Sequence, residues 1–543
     1  MHKKLILIVM LIVLFPVIVS GKPESRLPHL KKQGTASQLI VDNKPFLIIG
    51  GELGNSSASS LSYMKNVWPT LVKLNLNTIL IPVYWELIEP VEGAFDFSVV
   101  DNLVYQARKN NLRIIFLWFG SWKNSMSCYV PEWIKTNQQR FPRSRDDKGN
   151  ALEILTAFND NNLNADLKAF QQLMKHIATI DKNHRTVIMI QVENEIGMIP
   201  VARDYCQEAN IVFQKDVPTK LINYLEENKN NLMPELHALW AANGYRKEGT
   251  WEEIFGKSKS TDELFMAWHY AIFVEELAKA GKKEHDIPMF VNAALIRKGY
   301  EPGQYPSAGP LPHLMDVWRA GAPSIDFISP DIYFPSIEEW CRKYDQKGNP
   351  FFIPEARRER EAGMKAFYVF GNHNAMGFSP FSIESTDNPE EDPIGKSYNI
   401  ITQLEPLILE NQGRGKTAGV LLDNNKKQEE IVLGGYRLIV KHDFTLGWSP
   451  EAKNDTWPLS GVLIINTSPG EFYVAGSGIV INFKTIKDDN SRAGIARIEE
   501  GEFKDGQWLP GCRMNGDQSH QGRHLRIPEN EYSIQKVKLY TYQ

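Results

Sequence analysis

Val187-Ile188-Met189-Ile190-Gln191-Val192-Glu193-Asn194-Glu195-Ile196-Gly197 passes from an uninterrupted apolar stretch straight into a cluster of acids. An apolar run this continuous fits a strand buried on both faces, as in a parallel sheet, rather than a half-exposed strand that alternates. The same phrase recurs at Phe46–Leu53, Thr78–Trp85, Arg113–Trp122, Met289–Leu295, Ile325–Tyr333, Pro350–Glu355 and Ala375–Ile383. With Val187–Glu193 that makes eight runs. Helical periods lie between them: Leu167, Phe170, Met174 and Ile177 recur at one helical face, as do Val99, Leu103 and Ala107. Ser260 with Glu263 reads as a capping box opening a long helix that ends at Gly281. Eight βα units over residues 39–410 predict an α/β fold, a (β/α)8 TIM barrel with an insertion near residues 200–259. The rival is an open doubly wound sheet, which wants a phosphate-binding glycine loop after its first strand; Gly50-Gly51-Glu52-Leu53-Gly54 only approximates one.

Outside the barrel the texture changes. Short alternating stretches at Gly419–Leu422, Tyr436–His442, Gly461–Asn466, Phe472–Phe483, Ala493–Glu499 and Ser533–Tyr542 are separated by turn residues. They predict a C-terminal antiparallel β-sandwich over residues 411–543. Residues 22–38 read as a polar lead-in. Residues 1–21 carry two lysines, an apolar run and a Ser20-Gly21 exit, the pattern of a secretory signal peptide. The expected destination is export, to the periplasm or the extracellular space, with no membrane span in the mature chain.

Composition narrows the function classes. The 543 residues hold 61 Lys+Arg against 65 Asp+Glu, with no basic block, which argues against a nucleic-acid partner. The four cysteines lie far apart, without CxxC or zinc spacing, so neither a disulfide scaffold nor a cysteine metal site is expected. GxSxG, HExxH, P-loop and EF-hand motifs are missing, and no metal or cofactor is expected.

In a βα barrel, reactive groups sit where the strands run out at the C-terminal face. The fourth run ends in Glu193-Asn194-Glu195 and the seventh in Pro354-Glu355-Ala356-Arg357. A carboxylate closing an apolar strand is expensive to bury unless it is paired or used. Two such acids over one barrel mouth supply what glycoside cleavage needs: an acid to protonate the leaving oxygen and a carboxylate opposite it. An ordinary ion pair, as of Glu355 with Arg357 or Arg358, is the alternative for either acid alone. On an extended strand Glu193 and Glu195 point to the same side, so spacing does not choose between them.

A resemblance does choose. Gln191–Gly197 is similar to the strand-4 signature of glycoside hydrolase family 35, the β-galactosidases, within the superfamily of retaining (β/α)8 glycosidases. Val83–Pro90 followed by Gly93–Phe97 resembles the strand-2 signature of families 35 and 42. The likeness covers residues 39–410, and the C-terminal part resembles a β-domain of one bacterial branch of family 35. It implies Glu195 as acid/base, Asn194 as the 2-hydroxyl contact, Glu355 as nucleophile, and a supporting or substrate-contacting role for Glu193. Three departures stand out: Ala356 where the family has an aromatic after the nucleophile, Pro82 where many members carry a sugar-binding Tyr, and the long spacing between the two acids.

The expectation is a secreted, retaining exo-β-glycosidase, a β-galactosidase acting on terminal β-galactose of an oligosaccharide or polysaccharide of plant type. The alternatives are another β-glycosidase specificity (mannosidase, glucosidase or arabinosidase) and a carbohydrate-binding barrel without catalysis. Retention calls for a carboxyl separation of about 5–5.5 Å, against about 6.5–9.5 Å for inversion. Glu355 is expected ionised, aided by Tyr333, and Glu195 protonated by facing that charge. Trp85 and Trp122 are candidates for stacking on a sugar, with core packing as the alternative. Glu86 and Asn292 are candidates for hydroxyl contacts, against a surface acid and a loop-satisfying amide.

Overall fold

All eight apolar runs are strands. The computed structural model describes residues 27–487 and 490–543, so the leader expected at residues 1–21 lies outside the described residues. The strands are β1 (Ile48–Glu52), β2 (Thr78–Tyr84), β3 (Arg113–Phe119), β4 (Val187–Gln191), β5 (Met289–Ala294), β6 (Phe327–Ile332), β7 (Ile353–Ala356) and β8 (Gly377–Pro380). They close into one barrel in chain order, every pair parallel. Continuous burial follows from that closure: all seven residues of β2 are buried, as are all five of β4. The return helices are α1 (Leu61–Lys73), α2 (Ser98–Lys109), α3 (Asp160–Ile180), α4 (Lys259–Glu284), α5 (Met315–Gly321), α6 (Ile337–Tyr344), α7 (Ala362–Asn372) and α8 (Pro393–Asn411). The expected insertion contains four short helices, Gln207–Phe213, Thr219–Glu227, Pro234–Ala242 and Trp251–Phe255.

Local detail departs from the sequence reading in three places. Helix α4 is capped by Ser258, whose side chain accepts from the Thr261 amide. Glu263 turns inward instead of back to the cap, because Tyr305 Oη at 2.8 Å, the Ala308 amide at 3.2 Å and His313 Nε2 at 2.9 Å satisfy its buried carboxylate. Gly281 lies inside α4 rather than at its end: a Cβ there would meet Phe170 at 2.5 Å, so the glycine lets α4 approach α3.

Residues 22–38 are not merely a lead-in. His29–Gln33 and Ala36–Val41 pair antiparallel, and Lys44–Phe46 completes a three-stranded sheet. The Gln33 and Gln38 amides each donate to Leu409 O at 2.7 Å, which ties this sheet to the last turn of α8. Its outer strand is polar, which hid it from a hydrophobicity reading.

The C-terminal strands are β9 (Thr417–Leu422), β10 (Gln428–Leu433), β11 (Tyr436–His442), β12 (Ser460–Ser468), β13 (Glu471–Ser477), β14 (Ile479–Thr485), β15 (Arg492–Lys504), β16 (Gln507–Arg513), β17 (Leu525–Ile527) and β18 (Ser533–Tyr542). They form two antiparallel sheets, β9-β12-β13-β18-β15-β16 and β10-β11-β14-β17. Val420, Leu438, Ile464, Val474, Ile481 and Val537 form their common core. The run read as one strand at Phe472–Phe483 is two, parted at Gly478, whose φ of 73° suits glycine. Strands β10 and β16 were missed because they are largely exposed and polar, and β17 because it is three residues long.

Helix α7 joins the two parts. A Cβ on Gly371 would sit 2.4 Å from Ala418 O, and one on Gly419 would sit 2.5 Å from Tyr368 O. Backbone therefore meets backbone where the helix crosses β9. Among the described residues no helix is long and apolar enough to cross a membrane.

Candidate active site

Beyond Gln191 the fourth strand stops being extended. Glu193 has φ 60° and Glu195 has φ 44°, both left-handed, a conformation that costs a non-glycine residue about 1 kcal/mol or more. Each turn re-aims the next side chain, so the parity rule that put Glu193 and Glu195 on one side does not apply. Glu193 points to the barrel wall, where the Ser121 and Trp122 amides donate to it at 3.2 and 2.8 Å. Burial and the neighbouring Asp166 hold its carboxyl well above the usual range. Glu193 is thus a supporting residue and touches no open surface.

Glu195 points into the mouth. Its amide donates to Asn292 Oδ1 at 2.9 Å, and the Ser125 amide donates to its carbonyl at 3.2 Å. The Asn124 amide does the same for the Asn194 carbonyl at 3.2 Å. The loop after β3 therefore staples the turn after β4. Glu355 closes β7, where Asp331 of β6 stands beside it in register. Oxygen atoms of Glu195, Asp331 and Glu355 lie within 4.8 Å of one another. Two of these acids are 4–5 % exposed, so the cluster is recessed but reachable.

Tyr333 Oη donates to Glu355 Oε1. Asn292 spends both ends of its amide inside the protein: its Nδ2 donates to Asp331 Oδ2 at 2.6 Å. It positions the acids rather than reaching a hydroxyl. Asn194 Oδ1 accepts from Lys123 Nζ at 2.9 Å, while Asn194 Nδ2 has no partner among the described residues.

Two expectations about the rim are overturned. Trp85 is fully buried, its indole N–H bonded to Glu89 at 2.8 Å. Trp122 is equally buried, packed on Tyr270 and Phe273 with centroids at 5.0 and 4.6 Å. Strand exits turn outward at both, into the layer between barrel and helices, so neither presents a face for a sugar. Glu86 stays at the surface in an ion pair with Lys135 at 3.1 Å, the side chain 36 % exposed, and is not part of the acid cluster.

Three residues belong to the cluster and were not singled out from sequence: Glu52, Asp331 and Lys123. Glu52 closes β1 and Asp331 lies in β6, so the rule applied to β4 and β7 would have found both. Neither oxygen of Glu52, nor Asp331 Oδ1, nor Glu355 Oε2, has a hydrogen-bond partner among the described residues. Lys123, 5 % exposed, follows Trp122 by one residue.

Electrostatics follow from that composition: four buried carboxyls face one ammonium. Burial first, and the charge of Glu195 second, push Glu355 up to about 7, while Lys123 and the Tyr333 hydrogen bond pull it back. Burial, followed by the charge of Glu355, holds Glu52 and Asp331 well above the carboxylate range. Glu355, expected ionised, is therefore only partly so near pH 7, because burial first and the neighbouring acid second favour its protonated form. The Glu195, Asp331 and Glu355 oxygens are close enough to surround a cation, although Lys123 already offsets part of their charge.

Comparison with known proteins gives partial likenesses. Residues 62–267 match the model of glycoside hydrolase family 42, described as "Beta-galactosidase". Residues 394–526 match a domain of unknown function, DUF5597. A "Beta-galactosidase" of Xanthomonas manihotis is 28% identical over 203 residues, 36% of this chain and 31% of that protein, so the chain matches about a third of its length. A family 42 β-galactosidase structure from G. stearothermophilus aligns at 11% identity and TM-score 0.48, covering 91% of this chain and 98% of that one. A β-galactosidase structure from Bacillus circulans sp. alkalophilus aligns at 14% identity and TM-score 0.46, covering 67% of this chain and 57% of that one. The family found is 42, where the sequence signatures resembled family 35. Residues 62–267 are thus similar to β-galactosidase-like glycoside hydrolases.

Proposed function

We propose that the protein is a retaining β-glycosidase, a β-galactosidase in which Glu355 is the nucleophile and Glu195 the acid/base. The observation that carries the reading is the convergence of Glu195 and Glu355 oxygens within 4.8 Å at the ends of β4 and β7. That closeness favours the about 5–5.5 Å separation of a retaining pair over the about 6.5–9.5 Å of an inverting one. Ionised Glu355 attacks the anomeric carbon while Glu195 gives its proton to the departing glycosidic oxygen. A glycosyl ester on Glu355 results. Its charge is then gone from the cluster, and Glu195, now a carboxylate, takes a proton from the water that cleaves the ester. Tyr333 holds the Glu355 carboxylate in line for attack. Asn194, with its free Nδ2, offers a donor to the sugar's 2-hydroxyl.

Export belongs to the same proposal and rests on the leader-like residues 1–21. A panel of nitrophenyl glycosides, with product anomers followed by NMR, tests sugar and stereochemistry together. Wild type should release galactose with retained β-configuration. Glu355→Gln should lower turnover at least about 10,000-fold, as loss of a nucleophile does. Inverted product sinks the double displacement, and turnover of a different glycoside alone shifts the sugar. No turnover across the panel leaves a carbohydrate-binding barrel.

A further inference from the structure

Tyr333 faces two ways. Its hydroxyl holds Glu355, and its ring is also part of the wall of a cavity of about 360 Å³. The opposite wall comes from the C-terminal strands: Asp423 and Asn424 after β9, with Trp457 and Leu459 before β12. A second cavity, of about 520 Å³, lies further along the same seam between the α8 N-terminus and Tyr532, and Glu359 borders both. Each falls within the about 300–1,000 Å³ usual for ligand sites.

We propose that this seam is the leaving-group subsite, and that it takes a neutral oligosaccharide chain of several sugar units extending from the barrel mouth. The inference rests on the glycosidase reading and names its substrate class. Charge does not single out an anionic ligand. In the larger cavity three cationic side chains, Arg358, Arg360 and Lys396, meet three carboxylates, Glu359, Glu391 and Asp392. Arg358 pairs with Asp392 at 2.5 Å and Lys396 with Glu391 at 2.6 Å. What remains is a polar, charge-balanced surface set with the aromatic rings of Tyr333, Trp457 and Tyr532, suited to hydroxyls and apolar sugar surface.

The walls are fixed in advance. Trp457 is held by His442 and Phe444, with centroids at 4.8 and 5.8 Å, and Lys427 Nζ lies 4.9 Å from its ring. Asn424 Nδ2 donates to Asp455 O at 3.1 Å, and Asp423 Oδ1 accepts two turn amides at 2.8 Å. Lys426 reaches across to Glu338 of α6 at 2.7 Å, which clamps this turn to the barrel. A preformed wall binds without paying the ordering cost of a mobile loop.

The test compares two substrates: nitrophenyl β-galactoside and a β-galactosyl-capped neutral oligosaccharide of four or more units. Trp457→Ala should cut kcat/KM on the oligosaccharide about tenfold, mostly through KM, and at least five times more than on the nitrophenyl substrate. Asn424→Ala should show the same bias at smaller size, and serves if Trp457→Ala melts early. Equal losses on both substrates, or none, overturn the subsite. Wild type inactive on every glycoside refutes the glycosidase reading instead. Titration calorimetry with the galactose-free oligosaccharide then decides the seam: binding lost in Trp457→Ala supports it, and no binding to wild type overturns it.

Discussion

Two groups of buried acids lie within the same barrel wall, and their surroundings differ in kind. Glu193 and Asp166 sit behind β3 and β4, where protein donors answer them: the Ser121 and Trp122 amides for Glu193, the Trp118 indole at 2.9 Å and Ser121 Oγ at 2.5 Å for Asp166. Glu52, Glu195, Asp331 and Glu355 sit in the mouth, where several oxygens have no protein partner. Burial raises Asp166 and Glu193 as it raises Glu52, Asp331 and Glu355, so shifted protonation does not separate the groups. Hydrogen-bond satisfaction does. Acids satisfied internally hold the wall together, and acids left unanswered are arranged for something that arrives.

The largest test of this contrast is in stability. Glu193→Ala should cost about 3 kcal/mol, because it leaves the buried Trp122 amide without its acceptor and opens a cavity in the wall. Glu52→Gln should instead raise the melting temperature at pH 8, since it removes a charge that burial disfavours. Denaturant titration of both variants checks the pair; destabilisation by both would erase the distinction.

Tyr333→Phe comes next. It removes a charge-assisted hydrogen bond to Glu355, a loss of about 1.5–3 kcal/mol, or roughly 10- to 150-fold in kcat/KM if realised in the transition state. Because that bond lowers the Glu355 pKa, the acid limb of the pH–rate profile should move upward from near pH 7. A limb that stays put or moves down would contradict the assignment of Glu355 as the group that must be ionised.

The smallest expected effect is the slope of stability with pH. Glu355 stands at about 7 in the fold against an ordinary 4.5, so between those values the folded chain holds a proton that the unfolded chain releases. Stability should therefore fall as pH rises from about 4.5 through 7, with Glu52 and Asp331 acting in the same direction. Melting temperatures at successive pH values would show the decline in wild type and a shallower one in Glu355→Gln.

The barrel was legible because strands buried on both faces are continuously apolar, and the acids ending β4 and β7 because a carboxylate interrupts such a run, although only the family resemblance preferred Glu195 to Glu193. The tryptophans were not. Trp85 and Trp122 follow strands as a sugar platform would, but the turn that carries them outward is set by packing against residues far along the chain, such as Tyr270 and Phe273. Asn292 was located without its task, which depends on the distance to the Glu195 amide. Glu52 was hidden by two glycines that drew the eye to a nucleotide loop. Strands β10 and β16 are largely exposed, and their few apolar residues make no clear alternation.

One apolar cluster runs unbroken from the barrel helices through Leu421, Leu463, Ile465, Tyr473, Ala475 and Ile534 of the C-terminal sheets. Cutting the chain after α8 would expose that greasy interior along the flank of α7, and grafting a foreign module there would require matching backbone at Gly371 and Gly419. The two parts therefore share one apolar interior, and neither can be exchanged without rebuilding the surface it presents to the other.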